Sequence, residues 1–583
     1  MTRTFPTIWV LGLGTAGSAL AALFAEGGCK VVGVETSGAS FGAGRERVRA
    51  RIADRAISDR VTYTTRLDLV SEADFVVEAL PEQLDLKCAM LRQADAACRD
   101  ETVFLTTTTA LPVTEIAARS GRMTRTLGLH LPDLGLLSAA SAIELVTTPL
   151  TDEKVRTDVE ELLRELGKTP VRVDDHAGFV SGALVLGYLN SAATMFAEGF
   201  GTRDDIDAAM TMGCGMPLGP LAHLDAIGID VVHDSLEVLW KRTGDRVYEP
   251  ATILSKMVAD NALGRKNGHG FYSYETASGP AAEFGPDLPA RPGGDGVPRP
   301  VGHIGIVGAG HMATGIAEVC ARSGYRVTLC ARSPESAARA RAGVEKSLSR
   351  AVHRGKLAQA DLDAAMASLT TVTGLSELGP CDLVIEAVAE NLETKRAVFA
   401  ELDGIARPGA VLATITSSLS VMKCATATTR PQDVVGMHFF NPAPRMQLVE
   451  VVRTVVSDTD AVATIHEVAG SMGKHTVDCT DRAGFIVNAL LFPFLNRAVA
   501  MLRERYVTVH DVDTIISGGC RFPLGPFQLL DLVGLDVSLA IQDALWAASP
   551  QSESKPAQYL GELVQAGCLG RKSGRGFHPH TSS

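Results

Sequence analysis

Two long stretches of this 583-residue chain are near-duplicates of each other. "VLGLGTAGSALAALFAEGGCKVVGVE" near the N-terminus returns as "IVGAGHMATGIAEVCARSGYRVTLCA" from Ile306. "DFVVEALPEQLDLK" at 74 returns as "DLVIEAVAENLETK" at 382, "MPLGPLAHLDAIGID" at 216 as "FPLGPFQLLDLVGLD" at 522, and "LGRKNGHGF" at 263 as "LGRKSGRGF" at 569. An internal repeat fixes the architecture before any single element does. The chain is two tandem copies of one unit of about 280 residues, too long in sum for one core. Between the copies, Thr276 to Pro300 hold six prolines and five glycines in 25 residues, the composition of a semi-extended linker.

Within each copy the pattern changes midway. Short β-branched runs ("TIWVLG", "KVVGVE", "DFVVEAL", "TVFLTT", "RTLGLH") alternate with amphipathic stretches, the mark of a parallel doubly wound sheet. The last hundred or so residues of each copy carry helical periodicity. The expected fold class is an α/β Rossmann domain plus an all-α C-terminal domain, the pair duplicated. The expected domains are 1–175 and 176–275, the linker 276–300, then 301–481 and 482–583.

The composition excludes several classes of function. Apolar residues are 46% and charged residues 21%, as in an ordinary globular chain, and no apolar run is long enough to span a membrane. A formal charge of −12 without a long basic run speaks against nucleic acid. The start "MTRTFPTIWVLGLG" leads almost directly into a glycine motif, so a cytoplasmic location is expected. Eleven scattered cysteines without metal spacing predict neither metal nor disulfide.

Both copies place a glycine loop between a strand and a helix, the context in which backbone approaches a pyrophosphate. The residues are Gly12, Gly14 and Gly17 in the first copy, and Gly308, Gly310 and Ala313 in the second; a ligand-free tight turn is the plain alternative. About twenty residues on, a carboxylate accepts from a ribose hydroxyl, whereas an arginine accommodates a 2′-phosphate. Glu35 stands there in copy one, predicting NAD. Copy two has Ala331 followed by Arg332 and Ser333, predicting NADP in preference to NAD, unless Arg332 is simply a solvated loop cation.

"VIEAVAENLETKRAVF", "TSSLS", "GMHFFNPAPRMQLVEVV", "DRAGFIVN" and "FPLGPFQLLDLVGLD" resemble the 3-hydroxyacyl-CoA dehydrogenases over residues 302 to about 577. The resemblance implies four active-site residues, His438, Glu450, Ser417 and Asn488, and adds Glu390 and Lys395 to the cofactor contacts. One departure is Ala489, where the family usually has arginine. On this reading His438 is the general base and Glu450 orients its ring, while Ser417 and Asn488 hold the substrate oxygens. The family's coenzyme A contacts fall on Ser347 and Arg354, in a stretch that otherwise reads as a solvated amphipathic helix.

Copy one is twelve residues shorter between Glu35 and Glu78, where that stretch would lie. Thr109 replaces Ser417, Gly182 replaces Asn488, and "HLPDLGLLSAASAIELV" replaces the HFFNP segment, although His130 and Glu144 remain. Copy one is therefore expected to be non-catalytic. The expected function is interconversion of a (3S)-3-hydroxyacyl thioester and its 3-oxo partner by copy two, with an acyl-CoA substrate. A related β-hydroxy acid or a carrier-protein thioester is the nearest alternative, and a catalytically dead scaffold the more distant one. Family members are similar in pairing through their helical domains, so the two copies are expected to form an intramolecular pseudo-dimer.

Overall fold

The computed structural model describes residues 6–35, 38–52, 54–132, 140–274, 296–550 and 555–580. Most of the expected linker, and the copy-one segment 133–139 that replaces HFFNP, lie outside the described residues. From residue 296 onward the chain is fastened to the second copy. The backbone N–H of Val297 bonds Asp460 at 2.8 Å, and Arg299 pairs with Asp433 at 2.7 Å.

Each copy carries an eight-stranded sheet in the order 3-2-1-4-5-6-7-8, numbered within the copy. The first six strands are parallel and mostly buried on both faces, which explains their continuous apolar sequence. The seventh strand runs antiparallel to the sixth, a departure from the all-parallel expectation. In copy two the two strands are Val434–Phe439 and Leu448–Arg453. The connection between them is too short for a helical crossover, so the chain can only turn back. This reversal sets His438 directly opposite Glu450, and His130 opposite Glu144 in the other sheet.

The helical domains of the two copies face each other. Helix Ser181–Ala197 packs on helix Val487–Glu504, and one continuous apolar cluster draws buried residues from both domains. The Tyr188 ring lies 6.0 Å from that of Phe494, Tyr506 stacks on His176 at 3.8 Å, and Arg497 reaches Asp245 at 2.7 Å. No helix among the described residues is long and apolar enough to cross a membrane.

Candidate active site

His438 and Glu450 are buried, with Nδ1 and Oε2 2.6 Å apart. A carboxylate only accepts, so the bond puts the imidazole proton on Nδ1 and leaves the Nε2 lone pair outward. The other carboxylate oxygen accepts the N–H groups of Ile486 and Val487 at 3.0 and 2.9 Å. Those donors follow Phe485, a non-glycine residue at φ +51°, a sparsely populated conformation that the surrounding contacts must maintain. The rings of Phe440 and Phe485 lie 4.6 and 5.6 Å from the imidazole and form apolar walls beside it.

Asn488 donates from Nδ2 to the Ser417 carbonyl at 3.0 Å, joining the helical domain to the serine loop. Glu390 organises that loop, accepting from Thr416 Oγ1 at 2.6 Å and from the Ser417 N–H at 2.8 Å. Burial works to raise the Glu390 carboxyl, but Lys395 and these donors outweigh it and hold it below the ordinary glutamate range. Lys395 is fully buried between Glu386 at 2.9 Å and Glu390 at 3.3 Å. Glu390 and Lys395 thus sit behind the serine loop as its support.

The dinucleotide loops differ in tightness. Gly308 has φ +129°, and a Cβ there would collide with the Ala387 carbonyl. Gly310 begins helix His311–Arg322 without a side-chain cap, and a Cβ on it would meet nothing within 4 Å. Open space before uncapped helix amides suits a pyrophosphate, so the loop fits a dinucleotide. Ala313 is fully buried behind it. In copy one Gly12 has φ +88° and Gly14 is likewise open, but a Cβ on Gly17 would collide with the Gly12 carbonyl, so that position requires glycine. Glu35 accepts the Leu13 N–H at 2.7 Å and so braces its own loop. In copy two, Ala331 is buried, Arg332 is exposed, and Ser333 caps helix Pro334–His353.

Ser347 is half-buried on that helix and works to lower the Glu318 carboxyl against the larger effect of burial, while Arg354 is exposed two turns on, where the helix ends. A second helix, Gln359–Ser368, completes a hairpin. Among the described residues, copy one has the helices Gly38–Arg51 and Arg55–Ser58 in the same place.

Copy one keeps the pair but not its surroundings. His130 Nδ1 lies 3.1 Å from Glu144 Oε1, and the Ser181 hydroxyl bonds that same oxygen. Burial tends to raise the Glu144 carboxyl, but His130, Ser181 and backbone donors leave it below its ordinary value. A Cβ at Gly182 would lie 3.2 Å from Thr109 Cγ2, so a side chain like that of Asn488 would require Thr109 to shift. Copy two also closes over this site. Its π-helical turn Ile515–Gly519 offers the Gly518 carbonyl to the Ser141 N–H at 2.8 Å, and a Cβ on Gly519 would meet Pro132 Cγ at 2.6 Å.

The contact is reciprocal. Gly213, at the end of copy-one helix Arg203–Cys214, meets Leu448, Val487 and Phe440 of copy two. Burial, with Glu450 adding to it, pushes the Cys214 thiol up to about 12. Sequence patterns gave no sign of these cross-copy contacts, nor of the backbone donors to Glu450.

Comparison with known proteins agrees with this geometry at the level of family. The 3-hydroxyacyl-CoA dehydrogenase NAD-binding domain matches residues 7–176 and 303–482, and the C-terminal domain of the same family matches 178–274 and 484–580. The chain belongs to the 3-hydroxyacyl-CoA dehydrogenase family. As a member it is an oxidoreductase with an NAD-binding fold. A 3-hydroxybutyryl-CoA dehydrogenase of Mycobacterium tuberculosis is 46% identical over 279 residues, 48% of this chain and 98% of that protein. The mitochondrial hydroxyacyl-coenzyme A dehydrogenase of Rattus norvegicus is 36% identical over 285 residues, 48% of this chain and 91% of its own. The crystal structure of a 3-hydroxybutyryl-CoA dehydrogenase from Escherichia coli spans 97% of this chain and all of its own, with a TM-score of 0.63 and 19% identity. It therefore shares the fold across both copies.

Proposed function

We propose that copy two interconverts (3S)-3-hydroxyacyl-CoA and 3-oxoacyl-CoA, with His438 as the general base and acid. The observation that carries this reading is the buried His438–Glu450 pair beside the Ser417–Asn488 link, a combination copy one lacks. Bound nicotinamide dinucleotide supplies the hydride acceptor in one direction and the donor in the other. In oxidation, the outward Nε2 of His438 takes the proton of the substrate hydroxyl, and Glu450 stabilises the imidazolium so formed. In reduction, the same nitrogen returns the proton to the oxygen. The Ser417 hydroxyl and the Asn488 amide orient the 3-oxygen and the thioester carbonyl, and Phe440 and Phe485 limit the access of water to the pair.

Gly308, Gly310 and Ala313 hold the pyrophosphate of the dinucleotide on this reading. The loss of the carboxylate at Ala331 and the exposed Arg332 favour NADP over NAD in copy two. Ser347 and Arg354 contact the coenzyme A handle. Copy one acts as the structural partner of an intramolecular pseudo-dimer, and its loop with Glu35 retains the form of an NAD site. The test is reduction of acetoacetyl-CoA by the purified chain with NADPH and with NADH; no turnover with either would refute the activity.

A further inference from the structure

Between the helical domains lies a cavity of about 340 Å³, walled by Leu184 and Tyr188 of copy one and by Leu490, Pro493, Phe494 and Ala557 of copy two. Copy one shows what such a space can hold. Asn190 clamps the turn that carries Tyr248, donating from Nδ2 to the Glu249 carbonyl at 2.8 Å and accepting the Ala251 N–H at 2.9 Å. The Tyr248 ring is buried against helix Ser181–Ala197, and its hydroxyl donates to the Ala183 carbonyl at 2.8 Å. Arg497 of copy two covers the ring at 5.1 Å. The first copy thus holds a phenol in a fitted slot, with one backbone acceptor for its hydroxyl.

The second copy repeats the slot without the phenol. Asn496 makes the same clamp, to the Lys555 carbonyl at 2.8 Å and the Ala557 N–H at 2.7 Å, and both clamped residues line the cavity. The residue before Lys555, at the Tyr248 position in the sequence, is Ser554, whose side chain has no ring. Across the copies, Ser191 is the counterpart of the Arg497 that covers Tyr248, and it also lines the cavity. The backbone acceptor remains and has lost a donor. Ala489 is the counterpart of Ala183, and four residues on stands Pro493, inside the helix and without an N–H to give that carbonyl. Leu490 and Pro493, on the same turn as Ala489, both face the cavity. A half-buried carbonyl without its helical donor destabilises the fold unless another donor reaches it.

We propose that this cavity is a binding site for a small aromatic hydroxyl compound, its ring against Leu490, Pro493 and Phe494 and its hydroxyl on the Ala489 carbonyl, as the Tyr248 side chain sits in copy one. The volume is sufficient, since an apolar cavity of roughly 150 Å³ takes up a benzene. The charged lining residues are two of each sign, Arg497 and Lys555 with Asp245 and Glu504, so no net charge is required of the ligand. Apolar walls with one convergent acceptor select a neutral ring that carries a donor. The proposal is independent of the reaction assigned above.

The test uses the full chain in ligand-observed NMR titrations, with p-cresol as the phenol and toluene as the same ring without a hydroxyl. p-Cresol should bind saturably and more tightly than toluene by roughly two- to tenfold, the range that one neutral hydrogen bond contributes. Pro493→Ala gives the Ala489 carbonyl its helical donor back and favours the helix, so it should erase that advantage and leave toluene binding near wild type. Ala500 is an exposed lining residue, and Ala500→Trp fills the space from its mouth. That variant should weaken both compounds by about tenfold or more, as overpacking of a site does. Absence of saturable p-cresol binding, equal wild-type affinities for the two compounds, an advantage that survives Pro493→Ala, or undiminished binding in Ala500→Trp would overturn the proposal.

Discussion

A Cβ placed on Gly213 of the first copy would lie 2.8 Å from Leu448 Cδ2 of the second, two residues along the strand from Glu450. The same Cβ would be 3.1 Å from Val487, whose N–H bonds that carboxylate, and 3.7 Å from the Phe440 ring beside His438. The copy that lacks counterparts of Ser417 and Asn488 therefore touches three residues beside the His438–Glu450 pair of the other copy.

Gly213→Val should accordingly lower acetoacetyl-CoA turnover several-fold while leaving dinucleotide affinity near wild type. Overpacking at such a contact costs about 1 to 3 kcal/mol, enough to shift Leu448 and Val487. Steady-state kinetics with parallel cofactor titration make the check, and unchanged turnover would show the contact to be passive.

Residues 302–583 expressed alone should dimerise or lose solubility. Helix Val487–Glu504 would expose the apolar surface that Ser181–Ala197 covers in the full chain, and a patch of interface size seeks a partner. Light scattering distinguishes the outcomes. A soluble, monomeric and fully active fragment would contradict the pairing.

Arg332→Ala should weaken use of NADPH selectively, because a charge-assisted phosphate contact contributes roughly 1.5 to 3 kcal/mol. The measurement is kcat/KM with each cofactor in wild type and variant. A wild-type preference for NADH would reverse the assignment drawn from Ala331.

Glu390→Gln should lower the melting temperature most at neutral pH. The Glu390 carboxyl is held below its unfolded value, so its stabilising contribution is complete above the ordinary glutamate pKa of about 4.3. As pH falls below that value the unfolded chain takes up the proton first, and the contribution is lost. The gap between wild type and variant should therefore hold from pH 7 down to about pH 5 and narrow as the pH falls below the ordinary glutamate pKa of about 4.3. A gap that stays constant would mean that Glu390 acts through packing and not through its charge.

The repeat, both Rossmann sheets and the His438–Glu450 pair were legible in the sequence because they depend on local period and ordered motifs. The antiparallel seventh strand was not anticipated, although the short span between Phe439 and Leu448 required it. Gly213 against Leu448 and Gly519 against Pro132 join residues distant in the chain, and no periodic pattern reports such meetings. Glu35 was read as a ribose acceptor, and its bond to the Leu13 N–H shows a loop-bracing contact that spacing alone does not reveal.

The division of labour between the copies is tested most directly by acetoacetyl-CoA reduction in the full chain carrying either His438→Ala or His130→Ala, followed by the loss of reduced nicotinamide absorbance. Removing a general base costs roughly 10² to 10⁴ in turnover, and that loss is expected for His438→Ala with cofactor binding intact. His130→Ala should stay within a few-fold of wild type. Near wild-type turnover in His438→Ala, or an equal loss in His130→Ala, would contradict the assignment of chemistry to the second copy.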